Sequence, residues 1–342
     1  MLPRGSISRH EPLGVTKADL RSRLPALDYV KAAAIVAVAL THAVPGFFDE
    51  GMTDIALLAL LLTGFHVPAF LFVSGLLSRA ETPIGWPRVA ERLGRILPPY
   101  VVATTIAWML GLVIFPTPRK FVFTIVTGAT FGHFYFVPIM VFCFVLLPLL
   151  SRLTAPLLIL TAVTLMGLAE AMWMTPGWRL AEMFFWQIRN PVLQFHVGHF
   201  VLGIIASRYR SRLGRAFVGH APTLGIATGV GLLGFVWLAG AHPLFAAHPL
   251  ARTSYTLTVI AFITALTSER PAPAAVRFLS DATLTIYLYH WFAYLAFMPL
   301  LGPMPLGLRM LLLTSVGLGF GTLVAMAGRR LLGSRSRLLL GS

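Results

Sequence analysis

The chain has 342 residues, 57% of them hydrophobic and only 11% charged, with a mean hydropathy of +0.81; this composition excludes an ordinary soluble globular domain and points to a membrane protein. Its 27 Lys and Arg against 12 Asp and Glu give +15, which on one soluble domain would suggest a nucleic-acid partner, so the positions of the charges decide their meaning. A single cysteine, Cys143, excludes an internal disulfide framework and a Cys-rich metal site, and its apolar surroundings mark it as a packed thiol.

In chain order, residues 1–23 carry charge but no apolar h-region, so a cytoplasmic tail is expected there instead of a cleavable signal peptide, and the first span should direct insertion. A membrane helix needs about 20 mostly apolar residues. Ten runs qualify, at about 25–44, 54–78, 96–115, 134–150, 156–174, 191–207, 222–240, 253–267, 279–300 and 306–327. The stretch Phe121 to Phe131 is too short to span and reads as an interfacial or re-entrant piece. The fold class expected is therefore all-α, a polytopic helix bundle of about ten spans. One membrane domain, 24–327, would lie between an N-terminal tail, 1–23, and a C-terminal tail, 328–342, both flexible. No fixed-period repeat and no long hydrophilic stretch suggests anything further.

The basic residues give the orientation, because cytoplasmic loops collect Lys and Arg. With the N-terminus inside, the internal segments hold 20 of them and the external segments 6, while Lys31 lies within the first span. Both termini are thus expected in the cytoplasm. The surplus becomes an orientation signal, and a nucleic-acid partner loses its support.

An ionisable residue inside a span costs on the order of 2.5–3.5 kcal/mol and needs a reason. The first span has three: Asp28, Lys31 and His42. At about 100° per residue, the eleven positions from Lys31 to His42 return to within roughly 20°, so all three share one stripe, with Lys31 and His42 separated by about 16 Å. A plain reading is also open, with Asp28 paired to Lys31 at the interface and His42 at the helix end. The intervening alanines would let other helices pack close to the stripe.

A basic residue, ten intervening residues and a histidine in the first span, preceded by Leu27-Asp28, resemble the signature of the acyltransferase 3 family of integral membrane acyltransferases. Further pieces follow in the family's order: Phe65 to Gly75, ending in Ser74-Gly75; Arg92-Leu93-Gly94-Arg95 leading to Pro98-Pro99-Tyr100; His133-Phe134-Tyr135-Phe136-Val137-Pro138, with Tyr135 where Trp is more usual; and Ser280 to His290 with Tyr287. The resemblance covers about 24–327.

It implies transfer of an acyl group, commonly acetyl from acetyl-CoA, to a hydroxyl of a sugar or glycan, in the bacterial cytoplasmic (inner) membrane, with the first-span histidine essential. His42 is then the catalytic residue, a general base that deprotonates the acceptor hydroxyl, because imidazole titrates near neutral pH. A covalent acyl-histidine is the less favoured variant. No cofactor is expected to be bound permanently; acyl-CoA is a donor substrate. Its phosphates call for a basic internal site, and Arg88, Arg92 and Arg95, at i, i+4 and i+7, would share a helical face, with Arg92 and Arg95 favoured. The pantetheine arm would thread past Asp28 and Lys31 to His42. Candidates for acceptor contact or support are His133, Tyr287, His290, Ser74 and Ser280, and an acceptor entering from outside could also meet Arg179, Glu182, Asn190, His196 and His199. Metal binding is not expected, since His196 and His199 lack an Asp, Glu or Cys at ligand spacing. There is no Gly-x-Ser-x-Gly elbow and no Walker loop. Expected partners are acyl-CoA, a glycan or lipid-linked sugar acceptor and the bilayer, with a homo-oligomer or glycan-assembly proteins as further candidates. Two rival readings stay open. A secondary transporter of a sugar would also bury Asp, Lys and His, and a silent subunit of a glycan-export complex would need no chemistry.

Overall fold

The computed structural model describes residues 24–44, 54–78, 80, 82–114, 120–174, 192–241 and 249–341. Among the described residues there is no strand. The helices are α1 (Pro25–Ala43), α2 (Asp54–Thr63), α3 (His66–Leu76), α4 (Trp86–Ile114), α5 (Phe121–Thr127), α6 (Phe136–Leu150), α7 (Ala155–Met174), α8 (Val192–Arg208), α9 (Arg210–Phe217), α10 (Ala221–Ala241), α11 (Pro249–Thr267), α12 (Ala274–Asp281), α13 (Thr283–Leu301), α14 (Leu306–Leu332) and α15 (Ser336–Leu339). Seven of the described stretches are long and apolar enough to cross a membrane, and two further apolar helices, Phe136–Leu150 and Ala221–Trp237, are shorter. Leu, Ile, Val, Phe and Trp side chains stand exposed on these helices, among them Ile226, Leu233 and Trp237. In a lipid solvent such faces need no cover, and the helical ladder satisfies the backbone internally.

The central element is α1. It is the most deeply packed of the seven, with 67% of its apolar window buried, and it contacts α3, α11, α12, α13 and α14. Pro25 at its first turn costs no hydrogen bond. Ala32, Ala34, Ala37 and Ala39 are buried and short, so neighbouring helices come close. Tyr294 of α13 approaches near enough to donate its hydroxyl to the Ala39 carbonyl at 2.7 Å.

Two of the apolar runs are broken where sequence reading had them continuous. The run 54–78 bends between α2 and α3 at Gly64–Phe65, and the run 279–300 is divided at Ala282 into α12 and α13. A break inside a bilayer frees carbonyls that no water can reach, so each needs a protein donor. At the first elbow Tyr255 donates to Leu62 O at 2.9 Å, His66 Nδ1 to Thr63 O at 2.5 Å and Arg252 Nε to Gly64 O at 2.6 Å. At the second, Lys31 Nζ and Thr283 Oγ1 both donate to Ser280 O, at 3.0 and 2.8 Å.

Three other boundaries differ. Helix α4 begins ten residues before the expected 96, which places the arginine segment inside a helix that also accommodates Pro98 and Pro99. The short piece at Phe121 forms α5, which stops at Gly128 (φ 69°), and turns then lead to α6. A Cβ at Gly128 would press on the backbone of Phe134 and Tyr135, so the tight turn that carries His133 depends on glycine. The C-terminal stretch, expected to be flexible, instead packs: α14 runs on to Leu332, α15 lies against α4, and Thr285 Oγ1 donates to Leu340 O at 2.8 Å. The reason is in the segment's own composition: Leu340 packs against the main core and Ser336 is buried.

One arginine of the orientation count does structural work. Arg208, at the end of α8, donates to Ala80 O (3.1 Å), Leu153 O (2.6 Å) and Ser151 O (2.9 Å), tying three chain segments together. Charge-assisted hydrogen bonds are worth about 1.5–3 kcal/mol each, though they do not add fully. Arg208→Ala is expected to destabilise the purified protein by about 3 kcal/mol, read as a clear fall in its melting temperature in detergent.

Candidate active site

Helix α1 meets α12 at a lower level and α13 at an upper one. At the lower level, Ser280 Oγ donates to Asp28 Oδ1 at 2.6 Å and the Ser280 carbonyl accepts from Lys31 Nζ at 3.0 Å. Asp28 is buried and Lys31 half-buried. At the upper level, His42 Nδ1 lies 3.0 Å from His290 Nε2. Lys31 and His42 are eleven residues apart on the unbroken helix α1, so the two levels are about 16 Å apart along it.

The upper contact fixes the proton positions. His290 Nδ1 is 3.0 Å from Ile286 O and 2.9 Å from Tyr287 O. A nitrogen bonded to carbonyls must carry the hydrogen, so in the neutral ring Nε2 is the acceptor. His42 Nδ1 must then be the donor of the pair, and His42 Nε2 keeps its lone pair. The arrangement presents a half-buried imidazole whose Nε2 is the basic nitrogen.

His133 completes the group. Its ring centroid lies 5.1 Å from that of His42 and 4.8 Å from that of His290. Tyr287 donates its hydroxyl to the His133 backbone carbonyl, which fixes the turn after Gly128 against α13. Neither ring nitrogen of buried His133 has a hydrogen-bond partner among the described residues. Trp291 faces His42 edge-on at 5.5 Å, and Phe131 lies parallel to the His133 ring at 5.9 Å. The site is thus a cluster of three imidazoles walled by aromatic rings. Among the described residues no three His, Cys, Asp or Glu side chains are grouped to hold a metal ion.

Across residues 24–329 the chain matches the family model Acyl_transf_3, described as an acyltransferase domain. The chain belongs to the acyltransferase 3 family. Among curated proteins and among solved structures, none matches it. Membership and the apolar helices together make the protein an integral membrane acyltransferase.

In this acyltransferase the residues singled out from sequence fall into distinct places. His42, His133, His290 and Tyr287 come together; Asp28, Lys31 and Ser280 form the lower group. Ser74 joins neither: it is half-buried in α3, where its carbonyl accepts from Ser78 Oγ. The neighbouring Gly75 is the packing element, because a Cβ there would collide with the Phe200 carbonyl of α8. The three arginines share a helix but not a role. Arg92 is half-buried, donating to Leu77 O at 3.0 Å and lying over the Phe144 ring at 5.4 Å. Arg95 pairs with Glu91 on the surface, and Arg88 is exposed. Arg179, Glu182 and Asn190 lie outside the described residues.

Sequence reading missed Trp291 and Arg252. Trp291 adjoins His290 and was available from the motif itself. Arg252 was counted only as an external charge; it stands immediately before the run 253–267, and the helix that contains it begins earlier, at Pro249.

Proposed function

We propose that the protein transfers an acyl group, acetyl in the simplest case, from cytoplasmic acyl-CoA to a hydroxyl of an envelope or secreted glycan, with His42 as general base. The carrying observation is the relay from two backbone carbonyls through His290 to His42, which leaves His42 Nε2 as the acceptor for a hydroxyl proton. Neutral His42 takes the proton as the acceptor oxygen attacks the thioester carbonyl; the C–S bond breaks and the thiolate leaves with CoA. The imidazolium then gives up its proton, restoring the base. His133, with both ring nitrogens unpartnered, is placed to hydrogen-bond the acceptor or the oxygen on which charge develops.

We place the nucleotide at the lower end, where Arg88 and Arg95 are exposed, and the pantetheine arm along α1, past Lys31 and α12 toward His42. Arg92 is given the structural duty its contacts describe. The ten-span reading with both termini inside accompanies this orientation. The test is purified protein with radiolabelled acetyl-CoA and glycan acceptors, where label should move to the acceptor in a His42-dependent way. Proton-coupled sugar uptake with no acyl transfer would overturn the proposal. For the donor end, Arg88→Gln/Arg95→Gln should raise the KM for acetyl-CoA by roughly tenfold, about 1.4 kcal/mol, with kcat nearly unchanged; an unaltered donor KM would move the nucleotide elsewhere.

A further inference from the structure

A second polar group lies beside the site and plays no part in the relay. Arg252, three residues into α11, is half-buried; its Nε is spent on Gly64 O, and its Cζ stands 5.5 Å over the Phe195 ring. Around the same ring lie His196 (centroids 5.3 Å apart) and His199 (4.5 Å), with Tyr135 parallel to His196 at 6.2 Å. His196 and His199 are 2% and 0% exposed, yet His196 Nδ1 and His199 Nε2 have no hydrogen-bond partner among the described residues. No described carboxylate pairs with Arg252. The elbow at Gly64 links this group to the first: Thr63 Oγ1 accepts from Thr41 Oγ1 at 2.6 Å, next to His42, and Gly64 holds Arg252.

The elbow explains only one of the donors on Arg252. Capping a single carbonyl needs one N–H, whereas a guanidinium carries five in a planar fork suited to two oxygens of one anion. A cation kept within a membrane domain without a counter-charge is costly. Enclosed imidazole nitrogens without partners add to that cost. His199 Nδ1 is bonded to Phe195 O at 2.8 Å and so carries hydrogen, leaving Nε2 as an acceptor. One ligand chemistry answers all of these groups: two anionic oxygens for the fork, with a neighbouring hydroxyl to donate to an imidazole.

We propose that Arg252, His196 and His199 form a second subsite that binds a sugar bearing a carboxylate or phosphate, and so holds an anionic acceptor beside His42. Its assignment to the acceptor rests on the acyl-transfer reading; the anion site itself does not.

The experiment uses the purified full chain in detergent, titrated with D-glucuronate, glucose 6-phosphate and D-glucose while the melting temperature is followed. A saturable rise with glucuronate or with glucose 6-phosphate, and none with glucose, is expected; the acid that acts identifies carboxylate or phosphate as the anion. Arg252→Gln should weaken the response at least tenfold. Should that variant fail to fold for want of the Gly64 cap, Arg252→Lys, which keeps a cation and one donor, should still weaken it several-fold. No saturable response in the wild-type protein, or equal responses in the wild-type protein and the folded Arg252 variant, would overturn the subsite. His42→Ala separates the two proposals: it should bind the anion as the wild-type protein does. Anion binding by a wild-type protein that transfers no acyl group would leave the subsite standing and refute the acyltransfer reading alone.

Discussion

Replacing His42 by alanine is expected to lower acyl transfer by roughly 10²–10⁴-fold, the usual contribution of a positioned acid–base group, while the protein continues to accumulate and to melt normally. The second half of that expectation follows from the contacts. His42 is half-buried, and its side chain bonds the Val38 backbone of its own helix and His290, so its removal cuts one hydrogen bond to another helix. The partner gives the sharper comparison. His290→Ala removes the acceptor that fixes the His42 tautomer, and activity should fall although the base itself is present, as happens when an orienting group of a catalytic histidine is lost. His290→Gln keeps an oxygen near the position of Nε2 and should recover part of the rate. Equal loss in both His290 variants would show that the ring serves packing alone, and undiminished transfer in His42→Ala would remove the base from the mechanism.

The second large effect concerns the fold. Gly203→Val is expected to abolish assembly of the membrane domain, because any Cβ at Gly203 would collide with the Phe72 carbonyl, just as one at Gly75 would collide with that of Phe200. The obstructing atoms are backbone, so no rotamer change relieves them and α3 and α8 must separate. Overpacking of an ordinary core costs about 1–3 kcal/mol; here the crossing itself is lost, along with the van der Waals contact that holds helices together in lipid. The check is the yield of monodisperse protein after extraction. Gly94→Ala, where nothing lies within 4 Å of the added atom, is the matched control and should be neutral or slightly stabilising.

Much of the helical layout was legible because hydropathy and helix length are local properties: among the described residues helix is found in each of the ten apolar runs, seven stretches being long and apolar enough to cross a membrane, and the stripe on the first span lies on the unbroken helix α1. What escaped was backbone breakage and partner choice. Gly64 and Ala282 interrupt helices without altering the apolar character of their runs, so a hydropathy window passes over both. His42 finds His290 across 248 positions of chain, and that meeting depends on how two helices are rotated against each other, which neither sequence contains alone. The same limit explains the arginines. An orientation count treats Arg92, Arg208 and Arg252 as equal units of charge, whereas one caps α3, one clamps three chain segments and one caps the Gly64 elbow and lies over the Phe195 ring. Ser280 was recognised for its place in a motif, but its hold on both Asp28 and Lys31 required the break at Ala282 that turns its carbonyl outward.

The attachment of α1 to α12 below and to α13 above makes α1 a gauge. It cannot slide by a turn without breaking the bonds at both Ser280 and His290, so the interval between Lys31 and His42 is held at about 16 Å along it. On the proposed donor placement, a thioester fastened at the lower end would present its reactive carbon to His42 only if its arm had the matching reach. Thioesters on clipped carriers, such as N-acetylcysteamine, would gain nothing from the lower end and would have to arrive at His42 untethered, at the disadvantage of a bimolecular encounter.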